Sequence, residues 1–369
     1  MCGWTRAFIF NNRWAKHAMA TNHNTSLFKL SPLNAKRWQH FKHNRRAFIS
    51  LWLFLLLALV SAGAELVANE RPLLIYSEGR WLFPVLVDYT EQDLGGDFAT
   101  AANYQDPFVQ DLIAQKGWML KALVPYSYNT HIHQLPTPAP SPPTAHNWLG
   151  TDDQARDVFA RVLYGTRTSI AFALCLALCG AALGVLVGAV QGYYGGWVDL
   201  LGQRFLEVWS SLPVLFLLII LASIITPNFW WLLGLMLLFE WTSLVDVVRA
   251  EFLRGRNLDY VKAAKALGVK DATLMWRHIL PNATVATMTY LPFLITGAIA
   301  TLTSLDFLGF GLPPGSASLG ELVAQGKNNL QAPWLALSAF GILASLLILL
   351  VFIGEGLRDA FDPRLVQGR

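Results

Sequence analysis

Apolar residues in this chain are gathered into blocks rather than spread with an amphipathic period. Uncharged or nearly uncharged runs occupy residues 48–64, 169–190, 205–226, 229–248, 283–305 and 334–354. Each is about long enough to cross ~30 Å of hydrocarbon as a helix, so the pattern predicts six membrane spans. Polar segments of unequal length separate them. The longest, residues 65–150, lies between the first two runs, and the next, residues 249–281, lies between the fourth and fifth. Pro213 is expected to bend the third span early, and Pro292 interrupts the fifth.

Charge is sorted along the chain in a way that orients these spans. Residues 1–47 carry nine Lys or Arg and no acid, and residues 249–281 carry seven Lys or Arg against three acids. Both segments are predicted on the cytoplasmic face, and six spans then return the C-terminus there. Residues 65–150 hold nine acids and four basic residues, as suits an external segment. Within it, residues 73–76 and 81–83 flank Ser77-Glu78-Gly79-Arg80 as a hairpin, and residues 107–115, followed by Gly117, read as a helix. A Pro-rich linker, residues 136–143, closes this small insertion. The division expected is a basic N-terminal segment (1–47), a first span (48–67), an external insertion and cap (68–167), a five-helix core (168–357) and a cytoplasmic tail (358–369). The first thirty residues lack apolar periodicity and look surplus, consistent with an upstream start assignment, and cleavage after 62–64 is disfavoured because the preceding region is too long for a signal peptide. Residues 34–46, with Trp38, Phe41 and basic side chains, suit a helix against anionic headgroups. Residues 192–204 are expected to form a short cytoplasmic turn.

The segment 249–281 carries the most local information. Asp259 is a good N-cap, Tyr260 and the residues through Leu267 favour helix, and Gly268 stands where a left-handed residue would end it. Pro281 can continue only as the first turn of the next span. The order Lys262-Ala263-Ala264, three residues, Gly268, nine residues, then His278-Ile279-Leu280-Pro281 resembles the EAA loop of ABC importer permeases, EAA-x3-G-x9-I-x-L-P. Lys262 and His278 depart from it. Three further blocks are similar to the dipeptide and oligopeptide (OppC and DppC) class of that family: WLGTDDQARDVFARVLYGTR before the second span, SLDFLGFGLPP after the fifth, and GEGLRDAFDPR at the end. The insertion and the Ser304-Leu305-Asp306-Phe307 variant are most similar to the YejE-type branch, permeases of peptide and microcin C importers.

The resemblance implies an all-α polytopic membrane protein of the type I ABC importer permease fold, with a small periplasmic α/β insertion, in the bacterial inner membrane. It implies that Tyr260, Lys262, Ala263, Ala264, Gly268, Leu280 and Pro281 belong to a coupling helix that docks on an ATPase. The implied partners are a second permease subunit, separate or fused ABC ATPase subunits, a periplasmic peptide-binding protein and membrane lipid, with no nucleic acid. ATP and Mg would be used by the ATPase, and this chain would bind no cofactor of its own. On residues alone, an amphipathic helix lying on the membrane surface remains open for the same segment.

Other candidate chemistry is sparse. Residues 320–327 (GELVAQGK) miss the phosphate-loop spacing and its hydroxyl, and neither a Ser-His-Asp order nor H-E-x-x-H is present. A membrane hydrolase using Ser304, Asp306 or His278 would need groups at one depth, whereas His278 falls inside and Ser304 outside. A secondary transporter with inverted repeats would need paired broken helices. His131, His133 and His146 lack a Cys or carboxylate to complete a metal site, and Cys175 and Cys179 suit small packing positions. Acids inside spans are costly unless they face a cavity or partner, so Glu240 and Asp306 are candidates for the path or a subunit contact. Asp246 has Arg249 at i+3 as a structural ion pair, and Asp152, Asp153, Arg156, Asp157 and Arg161 have the spacing of opposite charges on one helix face.

Overall fold

The computed structural model describes residues 32–133, 135–225 and 228–362. The first thirty-one residues and the end of the tail block, including Pro363 and Arg364, lie outside the described residues. Helices α1 (Pro32–His43) and α2 (Arg45–Ala62) meet at Asn44, whose side chain accepts from Ala47 N, and a short α3 (Ala64–Val67) follows. Five helices are long and apolar enough to cross a membrane: α2, α5 (Val158–Tyr194), Phe229–Gly255, Asp271–Leu308 and α14 (Pro333–Phe361). A bent helix pair makes a sixth span if it crosses as one unit. Helices α6 (Gly196–Ser210) and α7 (Val214–Ile224) bend by 61° at the break before Pro213, where the sequence placed a kink.

The insertion folds as the hairpin reading required, with one strand added. Strands β1 (Leu74–Ser77) and β2 (Arg80–Leu82) pair across Glu78 and Gly79, both at positive φ (51° and 79°), the geometry that matches strand twist in a two-residue turn. Helix α4 (Pro107–Lys116) is capped by Asp106, and β3 (Gly117–Leu120) returns antiparallel to the other edge of β1. Their shared core is Ile75, Leu94, Tyr104, Val109 and Ile113, and burial pushes the Tyr104 phenol up to about 12.

Helix α5 is the axis of the bundle, and its glycines determine how closely its neighbours approach. The fourth span consists of α8 (Phe229–Glu240) and α9 (Thr242–Gly255). A Cβ added at Gly184 would lie 2.7 Å from Trp241 O, at Gly188 2.6 Å from Val245 O, and at Gly192 2.5 Å from Arg249 O. Backbone therefore rests on backbone along three helical turns, the contact that small residues permit where lipid offers no hydrophobic drive.

Two expectations change here. The turn expected over 192–204 does not exist: α5 runs to Tyr194 and α6 begins at Gly196, with Gly195 and Gly196 at positive φ (62° and 54°) making the whole reversal. The second span also begins eleven residues early, at Val158, because Asp157 caps it by accepting from Ala160 N at 2.8 Å. Burial raises the Asp157 carboxyl above its usual range, opposed by that bond and one from Asn147.

The block 152–161 is consequently not one helix face but a folded corner closed from far along the chain. Arg156 Nε donates to Asp152 at 2.7 Å, Arg161 Nη2 lies 2.9 Å from Glu321, and Arg156 Nη2 lies 3.1 Å from the other oxygen of Glu321. Glu321 belongs to α13 (Leu319–Asn328), a short helix between the fifth and sixth spans. Arg167 pairs with Glu65 at 2.6 Å. Arg156, Arg161 and Arg167 are thus each paired with a carboxylate.

Candidate functional site: the loop helix and its anchors

The polar segment between the fourth and fifth spans folds into α10 (Asp259–Ala266), then α11 (Asp271–Thr273), a π-helical turn Leu274–Ile279, and α12 (Leu280–Leu308) without a break. Asp259 is the first residue of α10, not its cap, since Leu258 holds the extended cap position and no side chain closes that end. The other end is closed as expected. Gly268 has φ 81°, its N–H donates to Lys265 O at 3.0 Å, and Val269 N–H donates to Ala264 O at 3.2 Å, the paired bonds of a glycine-terminated helix. An added Cβ at Gly268 would meet nothing within 4 Å, so backbone conformation, not space, selects glycine.

Helix α10 has two unlike faces. Val261 is buried, and Ala264 packs half-buried against the bundle core. Lys262, Ala263, Lys265 and Ala266 are exposed, as is Leu267, with 85% of its surface open. Tyr260 and Trp276 are exposed too, at 46% and 59%. The two alanines of the motif, Ala263 and Ala264, therefore point apart, one to solvent and one to the core.

Side chains fasten this helix to the spans. The Tyr260 hydroxyl donates to His278 O at 3.2 Å and accepts from Asn282 Nδ2 at 3.1 Å, joining α10 to the π turn and to the start of α12. Leu280 and Pro281 form the first turn of α12. The Tyr193 hydroxyl, at the end of α5, donates to Asp271 at 2.5 Å, and Lys265 lies over the Tyr193 ring. Ile279, buried, fills the place where a Cβ on Gly255 would sit, 2.7 Å away.

Arg249 corrects a local pairing. It does not pair with Asp246; its guanidinium grips Asp199 of α6 with two nitrogens, Nη2 to Oδ2 at 2.8 Å and Nε to Oδ1. Asp246 instead accepts from Gln203 Nε2 at 3.3 Å, and the same Gln203 donates to Gln191 at 3.0 Å. Both carboxylate oxygens of Asp199 meet the guanidinium fork side by side, a bidentate geometry that Asp246, three residues away on the same helix, does not make.

Asp306 is an internal clasp. One oxygen accepts from Ser318 Oγ at 2.5 Å and the other from Leu312 N at 2.7 Å, so it closes the loop between α12 and α13 on itself. Both of its carboxylate oxygens are thus engaged within this chain. Glu240 is different. It ends α8 half-buried beside Gly180, whose added Cβ would lie 3.4 Å from Glu240 Cγ, and no ion pair or hydrogen bond to its carboxylate occurs among the described residues. Among these residues no group of three His, Cys, Asp or Glu is placed to hold a metal; His131, His133 and His146 line one polar cleft of about 1340 Å³ without converging.

Sequence reasoning missed Leu267, Trp276, Tyr193, Asp199 and Glu321. For Leu267 a signal existed, a large apolar residue on the polar side of a short helix. The others act across separations that spacing does not reveal.

Apolar helices packed around a glycine-lined axis, with a helical loop standing off one end, are the architecture of a polytopic membrane protein. The chain belongs to the family described as the binding-protein-dependent transport system inner membrane component, whose profile matches residues 180–367. Residues 33–107 match the N-terminal TM domain of oligopeptide transport permease C. Over 335 residues the chain is 58% identical to the inner membrane ABC transporter permease protein YejE of Escherichia coli (strain K12), covering 91% of this chain and 98% of that protein. It is 53% identical over 358 residues to the peptidoglycan transport system permease protein YejE of Agrobacterium fabrum (strain C58), covering 90% and 94%. It is 32% identical over 228 residues to the oligopeptide transport system permease protein OppC of Lactococcus lactis subsp. cremoris (strain SK11), covering 61% and 78%. This is a multi-pass inner-membrane permease component, a transport subunit rather than an enzyme.

Proposed function

We propose that this chain is one permease half of an ATP-driven importer of peptides, and that α10 is the helix through which a separate ATPase subunit drives it. The observation that carries the reading is the outward face of α10: Ala263 and Leu267 exposed, with Tyr260 and Trp276 beside them, on a helix otherwise anchored to the bundle. An apolar side chain at 85% exposure on a short rigid helix suits a partner's groove better than water. The excess of Lys and Arg in 249–281 supports a cytoplasmic position for it, and with it cytoplasmic termini.

Closure of the ATPase dimer would move α10 as a unit. Tyr260 would pass that displacement to α12 through His278 and Asn282, and Tyr193 with Asp271 would pass it to α5. Alternating access would follow as a rigid shift of packed spans. ATP and Mg would be bound by the ATPase. A second permease half would complete the path, with Glu240 lining it or meeting that half. Names among the relatives support peptide cargo, oligopeptides among them; the resemblance to the YejE-type branch extends the proposal to microcin C-like conjugates, and a periplasmic binding protein would deliver the cargo. The exposed Trp81 and Trp118, clustered with half-buried Tyr76 at centroid distances of 4.9–6.5 Å on the insertion sheet, support a contact with that protein.

The test is Leu267→Glu. The protein should reach the membrane in normal amount, while ATP-driven uptake of a labelled peptide and co-purification of the ATPase both fall at least tenfold, as expected when an interface anchor becomes a desolvated charge. Unchanged uptake would exclude the docking role. Ala264→Glu is a less clean probe, since its side chain would enter the bundle core.

A further inference from the structure

At the end of the bundle away from the insertion, α1 and the start of α2 fold against the last turns of α14. Phe41, Ala47 and Ala360 are buried together, and Gly356 packs against Ala47, with Phe41 3.2 Å from the place of its Cβ. Beside this tight seam lies a cleft of about 690 Å³. Lys42, Arg45 and Arg46 line one wall; Phe352, Glu355 and Asp359 line the other. None of the ion pairs among the described residues involves any of these charges, so opposite signs face one another across open space without closing on it.

Depth identifies the occupant's class. Arg45 and Arg46 open an apolar span whose next turns expose Ile49 (56%), Trp52 (59%) and Leu56 (55%), side chains suited to acyl chains. The cleft therefore stands at headgroup level. Trp38, stacked on Phe41 with Lys42 over its ring, adds an aromatic residue of the kind found there.

We propose that this cleft is a phospholipid site selective for the phosphoethanolamine headgroup, with the phosphate against Lys42, Arg45 and Arg46 and the ammonium against Glu355 and Asp359. The two walls divide the labour by charge. A phosphate takes charge-assisted hydrogen bonds from guanidinium and ammonium donors. A primary ammonium offers three donors to carboxylates, whereas a choline offers none and a glycerol headgroup offers only neutral hydroxyls. Asp359 already accepts from Asn44 at 3.4 Å and holds its carboxylate toward α2, while Glu355 has no such partner among the described residues.

Native mass spectrometry of the full chain in detergent, with dioleoyl phosphatidylethanolamine, phosphatidylcholine and phosphatidylglycerol added at equal concentration, tests this. Phosphatidylethanolamine adducts should dominate. The double variant Arg45→Gln, Arg46→Gln should lower their occupancy about tenfold, the loss expected for a charge-assisted bond. Glu355→Gln should keep lipid bound but erase the preference for ethanolamine over glycerol headgroups. Equal retention of phosphatidylglycerol by the unaltered chain, or full ethanolamine-lipid binding by the double variant, would overturn the site. Should the double variant fail to reach the membrane, the Glu355→Gln preference decides alone, and an unchanged preference rejects the proposal.

Discussion

Gly188 illustrates how single residues govern this bundle. Any side chain there would push against Val245 O, with Gly184 and Gly192 making the same contact one turn either side. Gly188→Leu should separate α5 from α9 and lower thermal stability in detergent by about 1–3 kcal/mol, the range for overpacking. Gly234, where an added Cβ would meet nothing within 4 Å, is the control: Gly234→Ala should leave the melting curve unmoved or slightly raised. Arg161 is the polar counterpart. Its side chain is fully buried between Asp152 and Glu321 and also donates to Ser316 O at 3.1 Å. Arg161→Met leaves Asp152 and Glu321 to Arg156 alone, and removal of one partner from a buried ionic group typically destabilises by about 3–5 kcal/mol. Thermal unfolding followed by tryptophan fluorescence should show a marked loss, with part of it regained in the double variant Arg161→Met, Glu321→Met.

Both sites also mark where reading residues in order succeeds and where it stops. The glycine period in the second span is visible in sequence, because packing across a helix face repeats every turn. The partners of Arg161 and Arg249 are not visible, because Glu321 and Asp199 arrive from other elements, 160 and 50 positions away. Asp246 is the acid at helical spacing from Arg249; the fold supplies a better one in Asp199.

Among elements, those defined by local chemistry were legible. The Glu78-Gly79 hairpin, the Asp106-to-Gly117 helix and the Gly268 stop follow from turn and cap preferences that act within a few residues. The reversal at Gly195 and Gly196 was not, since Gly192 and Gly202 offered equally good breaks and only packing against Arg256 and Gln191 chooses among them. The loop from α12 to α13 depends on one residue. Asp306 closes it through Ser318 and Leu312, so Asp306→Ala removes both acceptors and should expose the segment 309–318 to proteolysis in membrane vesicles. The cost expected is about 1–3 kcal/mol for the orphaned donors. Asp306→Asn, which keeps one acceptor oxygen, should be cut more slowly than Asp306→Ala; equal rates would mean that the clasp does not hold the loop.

At the scale of the molecule, the two ends of the bundle are built for different tasks. The insertion end is closed by buried ion pairs and a small sheet, arrangements that resist movement. The loop end is joined to the spans by a few hydroxyl and guanidinium contacts around a short exposed helix that presents Leu267. A partner that pulls on α10 would act on α5 and α12 together, which is what a coupled transport cycle needs. The most direct measurement places a photo-crosslinking amino acid at position 267 and irradiates inverted membrane vesicles that contain the assembled transporter. The predicted result is an adduct with the ATPase subunit, identified by mass spectrometry, that is lost when the crosslinker is moved to the buried position 261. Adducts with periplasmic or lipid molecules alone would contradict the account.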